Sequence, residues 1–208
     1  MTKTGRDFPD WDALYKNQEV KFMPWYNEQL DSDLEEELEN KKVHHGKFLD
    51  IGTGPGTQAI RLCERGLHVT ATDLSETAIT NAKSLYNHHN ANTSVNFMVD
   101  DILNTNLKEN EFDYIFDRGC FHVISVNERK RYLMGVKRIL RANRGILFLK
   151  CFSDKEQGEN GPYRFSKDKI TKIFENEGFE IESIKDTVYQ GTLNPLPKAL
   201  FVVMTVKK

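Results

Sequence analysis

Eight consecutive residues, Asp50-Ile51-Gly52-Thr53-Gly54-Pro55-Gly56-Thr57, concentrate the chemistry of this chain. Glycines at alternate positions let a backbone turn sharply and approach a ligand closely. A helix starting behind them aims unpaired N–H groups and the positive end of its dipole at that ligand. An anion or a carboxylate suits such a site. Asp73 follows 17 residues after Gly56, and a carboxylate there can accept hydrogen bonds from both hydroxyls of a ribose. The G-x-G-x-G spacing departs from the G-x-G-x-x-G of nicotinamide dinucleotide sites, whose third glycine supports close helix packing beside a pyrophosphate. Asp50 stands immediately before the turn, where a carboxylate opposes a diphosphate but can pair with an ammonium.

A second group of reactive side chains, Asp117, Arg118, Cys120 and His122, follows a run of strand-like residues. His122 has the near-neutral pKa of a proton acceptor, or it is a structural histidine among apolar neighbours. Asp117 and Arg118 either face a substrate or hold their loop as an ion pair. Cys120 lacks the His and acid company of a nucleophile and reads as a buried thiol. The pairs His44-His45 and His88-His89 are adjacent rather than spaced i,i+4, so one helix face cannot present both to a metal, and no metal site is expected.

Both groups need a sheet whose strands end at one edge, and the chain supplies it. Residues 47–51, 67–72, 94–99, 112–116 and 145–152 read as strands, alternating with helices over about 57–65, 75–88 and 127–141. That alternation builds an α/β fold, and the right-handed crossover rule lays the first two strands parallel with their carboxyl ends together. Ser166 caps a further helix that Gly178 stops. The last strands, about 180–188 and 198–206, are joined by a turn holding Gly191, Asn194, Pro195 and Pro197 and no helix, so they form an antiparallel hairpin that adds one reversed strand. Ahead of the first strand, Trp11, Tyr15, Phe22, Trp25 and Tyr26 either pack on the sheet or form a lid over a ligand. The acidic run Asp31 to Glu39 reads as a solvated helix face with Leu30, Leu34 and Leu38 as its buried stripe.

At 208 residues the chain suits a single domain over 1–208: a lid segment 1–45, a cofactor-binding core 46–152, and 153–208 carrying a substrate loop, a helix and the strand pair. Lys+Arg 29 against Asp+Glu 31 leaves a net charge of −2, which lacks the basic excess of a nucleic-acid or membrane-surface binder. The basic residues Arg61, Arg65, Arg129, Lys130, Arg131, Lys137, Arg138 and Arg141 raise an RNA or protein substrate, but helical exposure explains them more simply. Asp117-Arg118-Gly119-Cys120 also stands where an enzyme that stacks a flipped base would carry Asn-Pro-Pro-Tyr. Three scattered cysteines suit a reducing cytoplasm. The longest apolar stretch, near Ala199 to Val206, is far short of the roughly 18 residues that span a bilayer. No nucleic-acid partner and no membrane are expected, and a monomer or weak dimer is.

Ribose, ammonium and carboxylate without phosphate describe S-adenosylmethionine. DIGTGPGT, Asp73 and the VDDI of Val99 to Ile102 together resemble the class I S-adenosylmethionine-dependent methyltransferases over residues 46 to 152. The resemblance implies a Rossmann-like, seven-stranded, mostly parallel sheet with an antiparallel last strand and helices on both faces. It implies that Asp50, Gly52, Thr53, Gly54 and Gly56 hold the methionine part, Asp73 with Leu74 the nucleoside, and Asp101 with Ile102 the adenine edge, Asp100 being the competing choice for that edge. A narrower likeness rests on WDALYKNQEVKFMPW at 11–25, FDYIFDRGCFHVI at 112–124, GPYRFSKDKI at 161–170 and PKALF at 197–201. These are similar to the thiopurine and thiol methyltransferase branch and its tellurite-resistance relatives, in which an N-terminal aromatic segment closes over the cofactor. That adds Trp25 to the cofactor-binding residues.

The function expected is methyl transfer to a small-molecule acceptor, a thiol or other soft nucleophile, with Asp117, Arg118 and His122 on the substrate side. Alternatives are O- or N-methylation of a small metabolite, a nicotinamide-dependent oxidoreductase, or a module that binds the cofactor without turnover. Methyl transfer is an in-line displacement that gains from alignment and exclusion of water, so the protein mainly positions.

Overall fold

The computed structural model describes residues 8–87, 94–158 and 160–207. The pair His88-His89 lies outside these residues. Strands β1 (Lys47–Ile51), β2 (His68–Asp73), β3 (Val95–Val99), β4 (Tyr114–Arg118), β5 (Ile146–Phe152), β6 (Phe179–Val188) and β7 (Lys198–Val206) form one sheet in the order β3-β2-β1-β4-β5-β7-β6. The first five are parallel, and β7 runs antiparallel between β5 and β6. Successive side chains of a strand leave opposite faces, which is why Phe48 and Leu49 enter different cores. Helices α2 (Ser32–Asn40), α3 (Thr57–Glu64) and α4 (Glu76–Asn87) supply the core on one face, α5 (Arg129–Ile139) and α6 (Lys167–Asn176) that on the other.

The sheet brings the carboxyl ends of β1, β2 and β4 together, as the site requires. The fourth strand, however, begins and ends two residues later than its apolar run suggests. Phe112 makes only an isolated bridge to Leu140, whereas Asp117 pairs with Ile51 and Leu149, and Arg118 with Lys150. Asp117 is paired on both sides and Arg118 on the β5 side, and that pairing overrides their weak strand preference.

N-terminal to the sheet lie α1 (Trp11–Asn17), which Asp10 caps through Ala13 N, and a short 3₁₀ turn at Val20–Phe22. In α2 the stripe Leu30, Leu34 and Leu38 is buried as its spacing implies, but Asp31 and Asp33 are buried as well, which corrects the reading of this run as a solvated face. Of its acidic residues Glu35, Glu36 and Glu39 are exposed. The basic residues are largely absorbed within the chain: Arg65 pairs with Glu35, Arg131 with Glu128, and Arg138 donates to the carbonyls of Thr105 and Leu107. Among the described residues, no helix is long and apolar enough to cross a membrane.

Candidate active site

Asp50, next to last in β1, is 2% exposed, and among the described residues its one side-chain hydrogen bond comes from Thr53 Oγ1, which donates to Oδ2 at 2.6 Å. Burial pushes its pKa up to about 7, against the opposing pulls of that hydrogen bond and of the Arg118 charge. The chain then turns through Gly52, Gly54 and Gly56, all with positive φ. At Gly54 (φ 53°) a Cβ would sit 2.6 Å from Tyr15 Oη, so a side chain would fill the very space between turn and lid. At Gly56 (φ 80°) it would meet Ala82 Cβ at 2.8 Å, so this glycine serves helix packing. Asp73, at the end of β2, ties two loops together: Oδ2 accepts from Gly54 N–H and Oδ1 from Ser75 N–H, each at 2.9 Å. Burial raises its pKa too. Beside it Leu74 and Val99 expose apolar side chains at the ends of β2 and β3.

The adjacent acids at 100 and 101 divide their work. Asp101 caps the 3₁₀ turn Ile102–Asn104, accepting from Leu103 N–H at 2.9 Å and Asn104 Nδ2 at 3.3 Å. Asp100 accepts from Asn106 N–H at 3.2 Å through Oδ1, while its Oδ2 is buried without a partner. Ile102 sends its side chain into the core.

Over the turn lies the N-terminal aromatic group. Trp25 Nε1 donates to Tyr15 Oη at 3.2 Å, and the ring of Trp11 meets that of Trp25 edge-on at 6.0 Å. Helix α1 is fastened by Asp12, whose Oδ1 accepts from Ser75 Oγ at 2.8 Å and Thr77 N–H at 2.9 Å at the start of α4. Of the five aromatics, Trp11, Tyr15 and Trp25 gather by Gly54, whereas Phe22 is 70% exposed. Tyr26 instead lines a groove of about 370 Å³ with Pro55, Asn81 and Leu85, which none of the acidic residues above enters.

After β4, Asp117, Arg118 and His122 each have partners within the protein. Asp117 is fully buried and organises its own loop, accepting from the N–H groups of Gly119 (3.0 Å), Cys120 (2.8 Å) and Phe121 (2.9 Å) and from Tyr132 Oη (2.6 Å). Burial lifts its pKa to about 6 in spite of those bonds. Arg118 does not pair with Asp117. Its Nε donates to Asp31 Oδ2 at 3.1 Å, Nη1 to Trp25 O at 2.9 Å and Nη2 to Gln190 O. His122 packs on Phe152 and Tyr189, and its Nδ1 accepts from Phe152 N–H at 3.2 Å. Burial, aided by the charge of Arg118, lowers its pKa to about 3, so at neutral pH it is uncharged with that lone pair engaged. Cys120 lies against Gly52, and burial drives its thiol pKa well up. Residues missed from the sequence include Tyr189, which donates to Arg118 O at 2.7 Å, and Lys150, which is fully buried. A lysine inside the apolar run GILFLKCF is a signal for buried acidic partners.

A glycine turn and acidic residues where β1 and β2 end on a Rossmann-like sheet suit a nucleoside cofactor, and comparison with known proteins narrows the class. Residues 48–143 match the methyltransferase domain family. EEF1A lysine methyltransferase 2 of Mus musculus is 27% identical over 186 residues, 82% of this chain and 70% of that protein. The 2-heptyl-1-hydroxyquinolin-4(1H)-one methyltransferase of Mycobacteroides abscessus is 31% identical over 153 residues, 72% and 66% of the two chains. An uncharacterized methyltransferase of Schizosaccharomyces pombe is 32% identical over 110 residues, 53% and 74%. A structure concerned with conversion of a disulfide bond into a thioacetal group during echinomycin biosynthesis shares the fold, with a TM-score of 0.81 at 23% identity over 95% of this chain and 92% of that one. This chain belongs to the class I S-adenosylmethionine-dependent methyltransferases. The residues fit that cofactor: a buried carboxylate at Asp50 suits an ammonium, and the positive-φ glycines at 52, 54 and 56 let the backbone approach a ligand closely.

Proposed function

We propose that this methyltransferase acts on a small molecule that arrives as its own nucleophile, a thiolate or a comparable soft anion. The observation that carries this reading is the state of His122, buried, uncharged and accepting from the Phe152 amide. Asp117 is likewise committed to its own loop. Neither is free to take a proton near neutral pH. A thiol, with a pKa near about 8.5, supplies some thiolate unaided, whereas a lysine at about 10.4 must first lose a proton.

When bound, S-adenosylmethionine would supply an activated methyl group, carried on a sulfonium, to the acceptor. The protein's own part is to bind and align. Asp50 would hold the ammonium, the Gly52 to Gly56 turn the carboxylate end, Asp73 the ribose hydroxyls and Leu74 the face of the base. Asp100, with its unpartnered oxygen, and Asp101, already a cap, remain the two candidates for the adenine amino group. Trp25, Tyr15 and Trp11 close the crevice against water.

Protein-lysine methylation is the second reading, favoured by the name of the mouse relative. Labelled S-adenosylmethionine offered with small thiols, phenols and lysine peptides separates the two. The thiol should be methylated, at a rate that climbs with pH until the thiol itself has ionised. Preferential labelling of a lysine peptide would refute the proposal.

A further inference from the structure

Two cations lie side by side in the sheet, Arg118 on β4 and Lys150 paired with it on β5. Their side chains are 7% and 0% exposed. Asp31, itself fully buried, bridges them: Oδ2 accepts from Arg118 Nε at 3.1 Å and from Lys150 Nζ at 2.7 Å. Lys150 also reaches Asp33 Oδ2 at 2.7 Å and Gln190 Oε1 at 2.6 Å. The cluster joins β4, β5, the start of α2 and the turn between β6 and β7.

Burying charge is a poor route to stability, because apolar residues of similar volume commonly do as well. What a buried charge pair supplies is register. If residues 23–31 slipped by one position, two neighbouring buried cations would lose the anion between them, which is strongly disfavoured. Both walls of the crevice depend on that register. On one side Arg118 holds the carbonyl of Trp25, whose indole meets Tyr15 beside Gly54. On the other it holds the carbonyl of Gln190, next to Tyr189, whose ring lies 4.5 Å from the guanidinium and 5.6 Å from the His122 ring.

We propose that Asp31 and Lys150 are positioning residues: their buried pair fixes the register in which residues 23–31 bring Trp25 to the glycine turn and the β6–β7 turn brings Tyr189 to the acceptor side. This goes beyond the acceptor assignment and stands whatever the acceptor is.

The test is S-adenosylhomocysteine calorimetry on the full chain, read beside the melting temperature. Asp31→Asn keeps the shape and the cap on α2 but removes the bridging charge, and should weaken binding about tenfold, the scale of one charge-assisted hydrogen bond. Adding Lys150→Met restores neutrality. The double variant should regain melting temperature while its affinity stays low, a split that a merely stabilising cluster would not produce. Affinity that returns together with melting temperature, or that never falls in Asp31→Asn, overturns the assignment. If the double variant does not fold, Asp31→Asn alone decides, and affinity within about twofold of the parent overturns it.

Discussion

Asp50→Asn should make the ligand-free protein more stable above neutral pH while weakening its hold on the cofactor. The carboxylate is 2% exposed, and its one side-chain partner is Thr53. Moving its pKa from the usual 3.8 to about 7 corresponds to a ceiling of roughly 4 kcal/mol against the charged, unpaired form. The sign follows from proton binding. Between about pH 4 and about pH 7 the folded protein retains a proton that the unfolded chain has released, so this group's stabilising contribution is complete below that window and is lost as pH rises through the folded value. Asparagine has the same shape, can still accept from Thr53, and has no charge to bury. Urea unfolding at about pH 5 and about pH 8 should therefore show the variant gaining on the parent by about 2–4 kcal/mol between the two conditions. Calorimetry with S-adenosylhomocysteine should show the reverse effect, a loss of about 1.5–3 kcal/mol, or roughly tenfold to a hundredfold, because an ammonium has lost its counter-charge. Near pH 6 the parent, but not the variant, should release a proton on binding, visible as a buffer-dependent heat. A variant that is no more stable at the higher pH, or that binds ligand as tightly as the parent, would refute this account of Asp50.

Asp73→Ala strips the N–H groups of Gly54 and Ser75 of their acceptor, and should lower S-adenosylhomocysteine affinity by roughly tenfold to a hundredfold; unchanged binding would reject the ribose assignment. Asp117→Asn sets an amide N–H₂ among donors at Gly119, Cys120, Phe121 and Tyr132. It should cost about 2–4 kcal/mol in urea unfolding. A stable variant with slowed methyl transfer would instead return this carboxylate to a direct role.

The parts of this structure legible from the sequence are those whose causes are local. Lys47–Ile51 and Lys198–Val206 were bounded correctly because turn residues flank compact apolar runs. The glycine turn was legible because positive φ leaves few other residues able to stand there. The errors have distant causes. β4 extends through Asp117 and Arg118 because β1 and β5 both pair with the first and β5 with the second. Asp31 and Asp33 look like solvated acids in an acidic run, and their burial depends on Lys150, which lies more than a hundred positions away. His122 offered two readings, and the choice between them rests on Phe152, Tyr189 and Arg118, which no spacing rule would bring to it.

Charge is handled in opposite ways at the two ends of the crevice, and this is where structure adds most to the functional argument. Arg118 and Lys150 are matched by Asp31 and Asp33, so the walls bring little net charge to the reacting centre. Among the described residues Asp50 and Asp73 are buried with hydrogen bonds and no ion pair; the Arg118 charge offsets part of the cost at Asp50, and burial still raises both pKa values. Left to itself that arrangement works against folding; a ligand bearing an ammonium relieves it, and binding then stabilises the fold by mass action. A diphosphate would add to the strain instead. A preference for a cationic nucleoside over a dinucleotide is the expected consequence of these incompletely compensated carboxylates, and Asp50→Asn should weaken that preference and the folding cost together.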